Sequence, residues 1–76
     1  MEVTEKIQEI VNSIRLNKQL PLLDAIQRED RLREDYGFTS FDLAELTVKI
    51  EDEYDIDIFE DGLVNTVGEI LTKLEQ

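Results

Sequence analysis

Five aliphatic residues near the start of the chain, Val3, Ile7, Ile10, Val11 and Ile14, recur at i, i+4, i+7, i+8 and i+11. That spacing follows the 3.6-residue period of a helix and not the two-residue period of a strand. Thr4, Glu5, Lys6, Gln8, Glu9, Asn12 and Ser13 fill the opposite face, so the pattern predicts a helix over 3–15, ended at Asn17-Lys18-Gln19. A second stripe, Leu43, Leu46, Ile50 and Tyr54 with Thr47 beside it, predicts a helix from about Ser40 to Tyr54. A third, Val67, Ile70, Leu71 and Leu74, predicts one from about Val67 to Leu74. With 76 residues and no cysteine, the chain has neither disulfides nor thiolate metal sites to hold it together. Each stripe must be covered by the others. The expectation is an all-α fold, a small bundle of three main helices plus short helical turns, built as a single domain over 1–76.

Local signals agree with those boundaries. Thr39 is placed to cap the second helix, with Asp42 three residues on as its acidic partner. Thr66 and Glu69 stand in the same relation before the third. Residues 17–38 form a long connection with one proline, Pro21. Leu20, Leu22, Leu23 and Ile26 are too apolar for a free linker and are expected to form a short helical turn packed under it. Arg28 to Asp35 is a mixed charge run expected to be solvated, with Leu32 as its anchor. Ile56 and Ile58 alternate with aspartates, but a lone short strand has no partner here. A loop leading into a short turn near 59–63 is expected instead.

The formal charge of −11 is unevenly placed. Residues 1–33 balance Lys6, Arg15, Lys18, Arg28, Arg31 and Arg33 against an equal number of acids. Residues 34–76 hold only Lys49 and Lys73, so the whole net charge lies there. This excludes nucleic acid as the expected partner and favours basic protein surfaces. Long apolar runs and a basic-then-apolar leader are absent, so a soluble, monomeric, cytoplasmic protein with no membrane span is expected. On the second helix, Phe41, Glu45, Val48 and Asp52 share the face opposite the stripe. Apolar anchors among carboxylates read as a partner site.

Ser40 opens that same helix, with its hydroxyl beside the positive end of the dipole. A hydrolase built on it would need a base, and there is no histidine. The flanking residues are not a nucleophile elbow, so the chain is not expected to be an enzyme. Asp55, Asp57, Glu60 and Asp61 suggest calcium. However, Phe59 falls on a ligand position of an EF-hand loop in either register, so no metal site is expected. Two readings stay open from the residues alone. Ser40 is an attachment point for a phosphate-bearing group, or it is only a helix-start residue in an acidic interaction module. A carboxylate-rich divalent-ion protein is a more distant third.

The stretch Tyr36-Gly37-Phe38-Thr39-Ser40-Phe41-Asp42-Leu43-Ala44-Glu45-Leu46 resembles the prosthetic-group site of acyl carrier proteins. Their pattern is Gly, any residue, Asp-Ser-Leu, an acid, two variable residues, then Glu-Leu. Gly37, Ser40, Asp42, Glu45 and Leu46 match it. Leu32 to Asp35, Glu51-Asp52-Glu53-Tyr54, Ile58, and Asn65-Thr66-Val67-Gly68-Glu69-Ile70 extend the resemblance over essentially the whole chain. The length is similar to that of a free-standing carrier. Thr39 in place of aspartate and Phe41 in place of leucine depart from the pattern, and Lys49 interrupts the acidic set.

The resemblance implies that Ser40 receives 4′-phosphopantetheine from coenzyme A through a phosphopantetheinyl transferase. It implies acyl or aminoacyl cargo carried as a thioester, as in fatty acid biosynthesis and lipid metabolism. Phe41, Asp42, Glu45, Val48, Glu51 and Asp52 are then the face presented to basic docking surfaces of cargo-loading and cargo-using enzymes. The small side chain of Ala44 leaves room for cargo beside the arm. The departures imply a specialised carrier rather than the general fatty-acid one.

Overall fold

A computed structural model of the protein describes residues 3–60 and 62–75. Three helices follow in chain order: α1 Val3–Asn17, α2 Ser40–Tyr54 and α3 Val67–Glu75. Among the described residues there is no strand, only an isolated antiparallel bridge between Arg31 and Thr66. α1 packs against both α2 and α3. The expected stripes form the core: Ile7, Ile10, Val11 and Ile14 of α1, Leu43, Leu46 and Ile50 of α2, and Val67, Ile70 and Leu71 of α3 are buried. Val3, Tyr54 and Leu74, at the ends of the stripes, are half-buried against it.

The helix ends follow from local backbone chemistry. α1 runs on to Asn17 and is closed by Gln19 in the left-handed region (φ 62°). The Leu20 N–H then donates to the Arg15 carbonyl at 2.9 Å. α2 ends where Asp55, also left-handed, donates its N–H to the Glu51 carbonyl at 2.7 Å. Residues 55–57 are irregular and lead, as expected, into a turn, which lies at 58–60; Asp61, within the range 59–63 expected for it, lies outside the described residues, and Ile58 is fully buried.

The connection between α1 and α2 differs from expectation over Leu20 to Ile26. No helical turn forms there. Pro21 lacks an N–H to give one, and side chains of α1 take the backbone groups instead. Asn12 accepts from the Leu23 N–H at 2.8 Å and donates to its carbonyl at 3.0 Å, while Gln8 donates to the same carbonyl at 3.1 Å. The buried Arg15 donates to the Pro21 carbonyl at 3.0 Å and to that of Tyr36 at 2.8 Å. Ile26 reaches the core and Leu22 faces solvent. The charged run is on the surface and Leu32 is its fully buried anchor, as expected.

This connection also completes α3. The first backbone N–H groups of a helix have no partner within it. Here the Val67 N–H donates to the Asp30 carbonyl at 3.0 Å and the Gly68 N–H to that of Arg28 at 2.9 Å. A Cβ at position 68 would lie 3.0 Å from the Arg28 oxygen, so glycine lets the loop approach. The expected Thr66–Glu69 box closes the same end, with bonds of 3.2 Å and 3.0 Å.

Leu32 carries the connection into the core, so Leu32→Ala is expected to destabilise the protein by about 2–5 kcal/mol. A denaturant titration followed by helix signal measures this. A loss below about 1 kcal/mol would show that the loop is held by its polar contacts alone.

Candidate functional site

The start of α2 gathers the residues singled out by sequence. Thr39 is extended (φ −92°, ψ 178°) and caps the helix. Its Oγ1 accepts from the Asp42 N–H at 3.3 Å, and its own N–H donates to Asp42 Oδ2 at 2.8 Å. Both halves of the expected box are present. Gly37, left-handed at φ 74°, makes the turn before it and donates to the Arg33 carbonyl at 3.1 Å. Phe38, buried edge-on to Tyr36 with ring centres 6.0 Å apart, fixes that turn to the core.

Ser40 is exposed, and its Oγ accepts a hydrogen bond from Arg33 Nη2 at 3.0 Å. The chain has one other serine, Ser13. Ser13 is half-buried inside α1, and its hydroxyl donates to the Ile10 carbonyl at 2.7 Å. The two helix starts also differ. Loop carbonyls occupy the first N–H groups of α3. Among the described residues, none accepts from the N–H of Ser40 or Phe41.

Beside Ser40 lies a pocket of about 230 Å³ lined by Arg33, Ser40, Leu43, Ala44, Phe59 and Leu63. Its walls are mainly apolar, with the hydroxyl and the guanidinium at its edge. Ala44 was expected near the arm. Leu63, 82% exposed, was not singled out by sequence. Its one signal is that Leu63 and Val64 follow Gly62 as an apolar pair, of which only Val64 is buried.

On the outer face, Phe41 is 88% and Val48 57% exposed. Glu51 and Asp52 are exposed, while Glu45 is half-buried and lies 3.9 Å from Lys49 Nζ. Asp42 departs from the expected partner face. It is only 9% exposed, because its carboxylate turns inward onto the cap and receives Lys18 Nζ at 2.7 Å. Lys18 and Arg33 are the site residues that sequence reasoning missed. Their signal was weak: one is a lysine just past a helix end, the other one cation in a mixed run. Asp57 Oδ1 accepts from the Phe59 N–H at 2.9 Å, and among the described residues no carboxylate group of three is placed to hold a metal. Asp61, the fourth of the calcium candidates, lies outside the described residues.

Two comparisons with known proteins found nothing: no curated protein and no solved structure matches this chain significantly. A third, against family profiles, matches residues 5–74 to the family described as phosphopantetheine attachment site.

The Asp42 junction has a pH signature. Burial raises the pKa of this carboxyl, but hydrogen bonds from Lys18 and Thr39, with the Lys18 charge, outweigh it and hold it below its ordinary 3.8. Between its folded value and 3.8 the unfolded chain binds more protons. The contribution is therefore complete above 3.8 and is lost as pH falls through the lower, folded value. Asp42→Asn is expected to flatten that acid limb of the stability curve while leaving the rest parallel. An acid limb unchanged in Asp42→Asn would show that other carboxylates set it.

Proposed function

The chain belongs to the phosphopantetheine attachment site family, and from that premise we propose that it is an acyl carrier protein modified on Ser40. Domains of this family bear a 4′-phosphopantetheine prosthetic group, are not catalysts, and are served by a phosphopantetheinyl transferase and client enzymes. The observation that supports Ser40 is the contrast between the two serines. Ser13 is committed to a helix carbonyl, whereas Ser40 presents a free side of its hydroxyl to solvent at the mouth of a pocket.

The residues fit the group. In the transfer, Ser40 Oγ bonds to the phosphorus of coenzyme A nearest the pantetheine. The pyrophosphate P–O bond breaks, adenosine 3′,5′-bisphosphate leaves, and the hydroxyl proton passes to a base on the transferase. The N–H groups of Ser40 and Phe41, which have no acceptor among the described residues, and the positive end of α2 favour the negative charge that then resides there. When bound, the arm supplies a terminal thiol that carries an acyl or aminoacyl group as a thioester. Leu43, Ala44, Phe59 and Leu63 offer apolar surface beside Ser40 on which such cargo can rest.

Phe41 and Val48 are the anchors of the docking face, with Glu45, Glu51 and Asp52 steering basic partner surfaces. Asp42 supports that face from beneath by setting the start of α2. Thr39 and Phe41 in the attachment motif favour a specialised carrier over the general fatty-acid one, and we take it to be a single cytoplasmic monomeric domain over 1–76. The exposed Phe41 and Val48 would equally serve an unmodified acidic interaction domain, and intact mass separates the two.

Incubation of the purified chain with coenzyme A and a broad-specificity transferase should add one phosphopantetheine, and none in Ser40→Ala. An unchanged wild-type mass with several transferases would sink the carrier reading. Val48→Glu should weaken cargo transfer by roughly tenfold, the loss of about 1.4 kcal/mol of contact, with unaltered melting. If Val48→Glu unfolds the protein, Val48 belongs to the core and not to the docking face.

A further inference from the structure

Among the described residues Arg33 is the one cation in contact with the Ser40 hydroxyl, and its placement is built rather than incidental. Its backbone belongs to the turn that Leu32 anchors. The Leu32 N–H donates to the Asn65 carbonyl at 2.8 Å, the Phe38 N–H to that of Leu32 at 3.1 Å, and the Gly37 N–H to that of Arg33 itself at 3.1 Å. Neighbouring cations are occupied otherwise: Lys18 holds Asp42, and Arg31 lies against Asp35. Among the described residues Arg33 makes no ion pair, although Glu34 and Asp35 follow it directly. A guanidinium held within hydrogen-bond distance of a hydroxyl, with donors to spare, is matched to an oxyanion attached at that oxygen.

We infer that Arg33 is a positioning residue for the prosthetic arm: its guanidinium, bound to the Ser40 hydroxyl before modification, grips the phosphodiester oxygens after it. This rests on Ser40 being the attachment point. The phosphodiester brings a further negative charge to the half of the chain that already holds the whole net charge. Arg33 offsets that charge where it is created. Because Arg33 also lines the pocket with Leu43, Ala44, Phe59 and Leu63, gripping the phosphate directs the first segment of the arm across that apolar surface. A lysine at this position would keep the charge but lose the planar two-pronged contact.

The test uses the full chain in its unmodified and phosphopantetheinylated forms. Intact mass first establishes one addition to the wild type and none to Ser40→Ala. On modification, the Arg33 Nε–Hε resonance of the wild type should shift. The phosphorus resonance of modified Arg33→Gln should be displaced from that of the modified wild type, with Arg33→Lys intermediate. High salt should bring the wild-type phosphorus resonance towards that of Arg33→Gln, since an exposed contact of this kind is screened. Absence of any addition overturns the attachment reading and this inference together. Complete modification with an unmoved Arg33 resonance, and one phosphorus resonance shared by all three proteins, overturns the role of Arg33 alone. The wild-type comparison needs no substitution, so a variant that folds poorly leaves the test decisive.

Discussion

Arg15 is the side chain on which the attachment loop depends. Its guanidinium is buried at the end of α1 and donates to the carbonyls of Pro21 and Tyr36, the two sides of the connection to α2. A core of this size cannot immobilise residues 18–39 by apolar burial alone, since Ile26, Leu32, Tyr36 and Phe38 are their only buried apolar side chains. Donors from one helix must satisfy the carbonyls that the loop would otherwise leave to water. Asn12 and Gln8 repeat the device at Leu23. α1 is thus a rack of side-chain donors as well as one wall of the core.

What sequence made legible was what local spacing controls. The stripes at 3–14, 43–54 and 67–74 gave the core faces, because helical phase alone decides which residues can meet. The capping boxes at Thr39 and Thr66 were legible for the same reason: both partners sit three residues apart. Asp42 was misplaced because its decisive partner, Lys18, is distant in sequence. The resemblance put its carboxylate on the docking face, whereas the bonds to Thr39 together with the tertiary ion pair turn it inward. The helical turn expected at 20–26 failed similarly. Its apolar composition was read as a local preference, but side chains of α1 took up its backbone groups. Arg33 looked like one of several solvated cations, and nothing local distinguishes it from Arg31.

The site divides labour between two faces of one short helix. The side towards Phe59 and Leu63 carries the pocket, and the side with Phe41 and Val48 carries the docking anchors. Ser40 sits at their common end. A partner gripping the outer face would therefore find the attachment point at a fixed offset from its grip, whatever occupies the pocket. The inward turn of Asp42 makes that offset stiff, because the carboxylate joins Thr39, the first turn of α2 and the end of α1 at one oxygen.

The carbonyls of Arg28 and Asp30 that close the start of α3 belong to the same loop that bears Arg33. The N–H groups of Val67 and Gly68 are therefore distant sentinels of the attachment loop. Local opening of that loop must free both, and their hydrogens would then exchange with solvent while the rest of α3 stays protected. Exchange rates at two amides far along the chain thus read how often the loop around Ser40 comes undone, without a probe attached at the site itself.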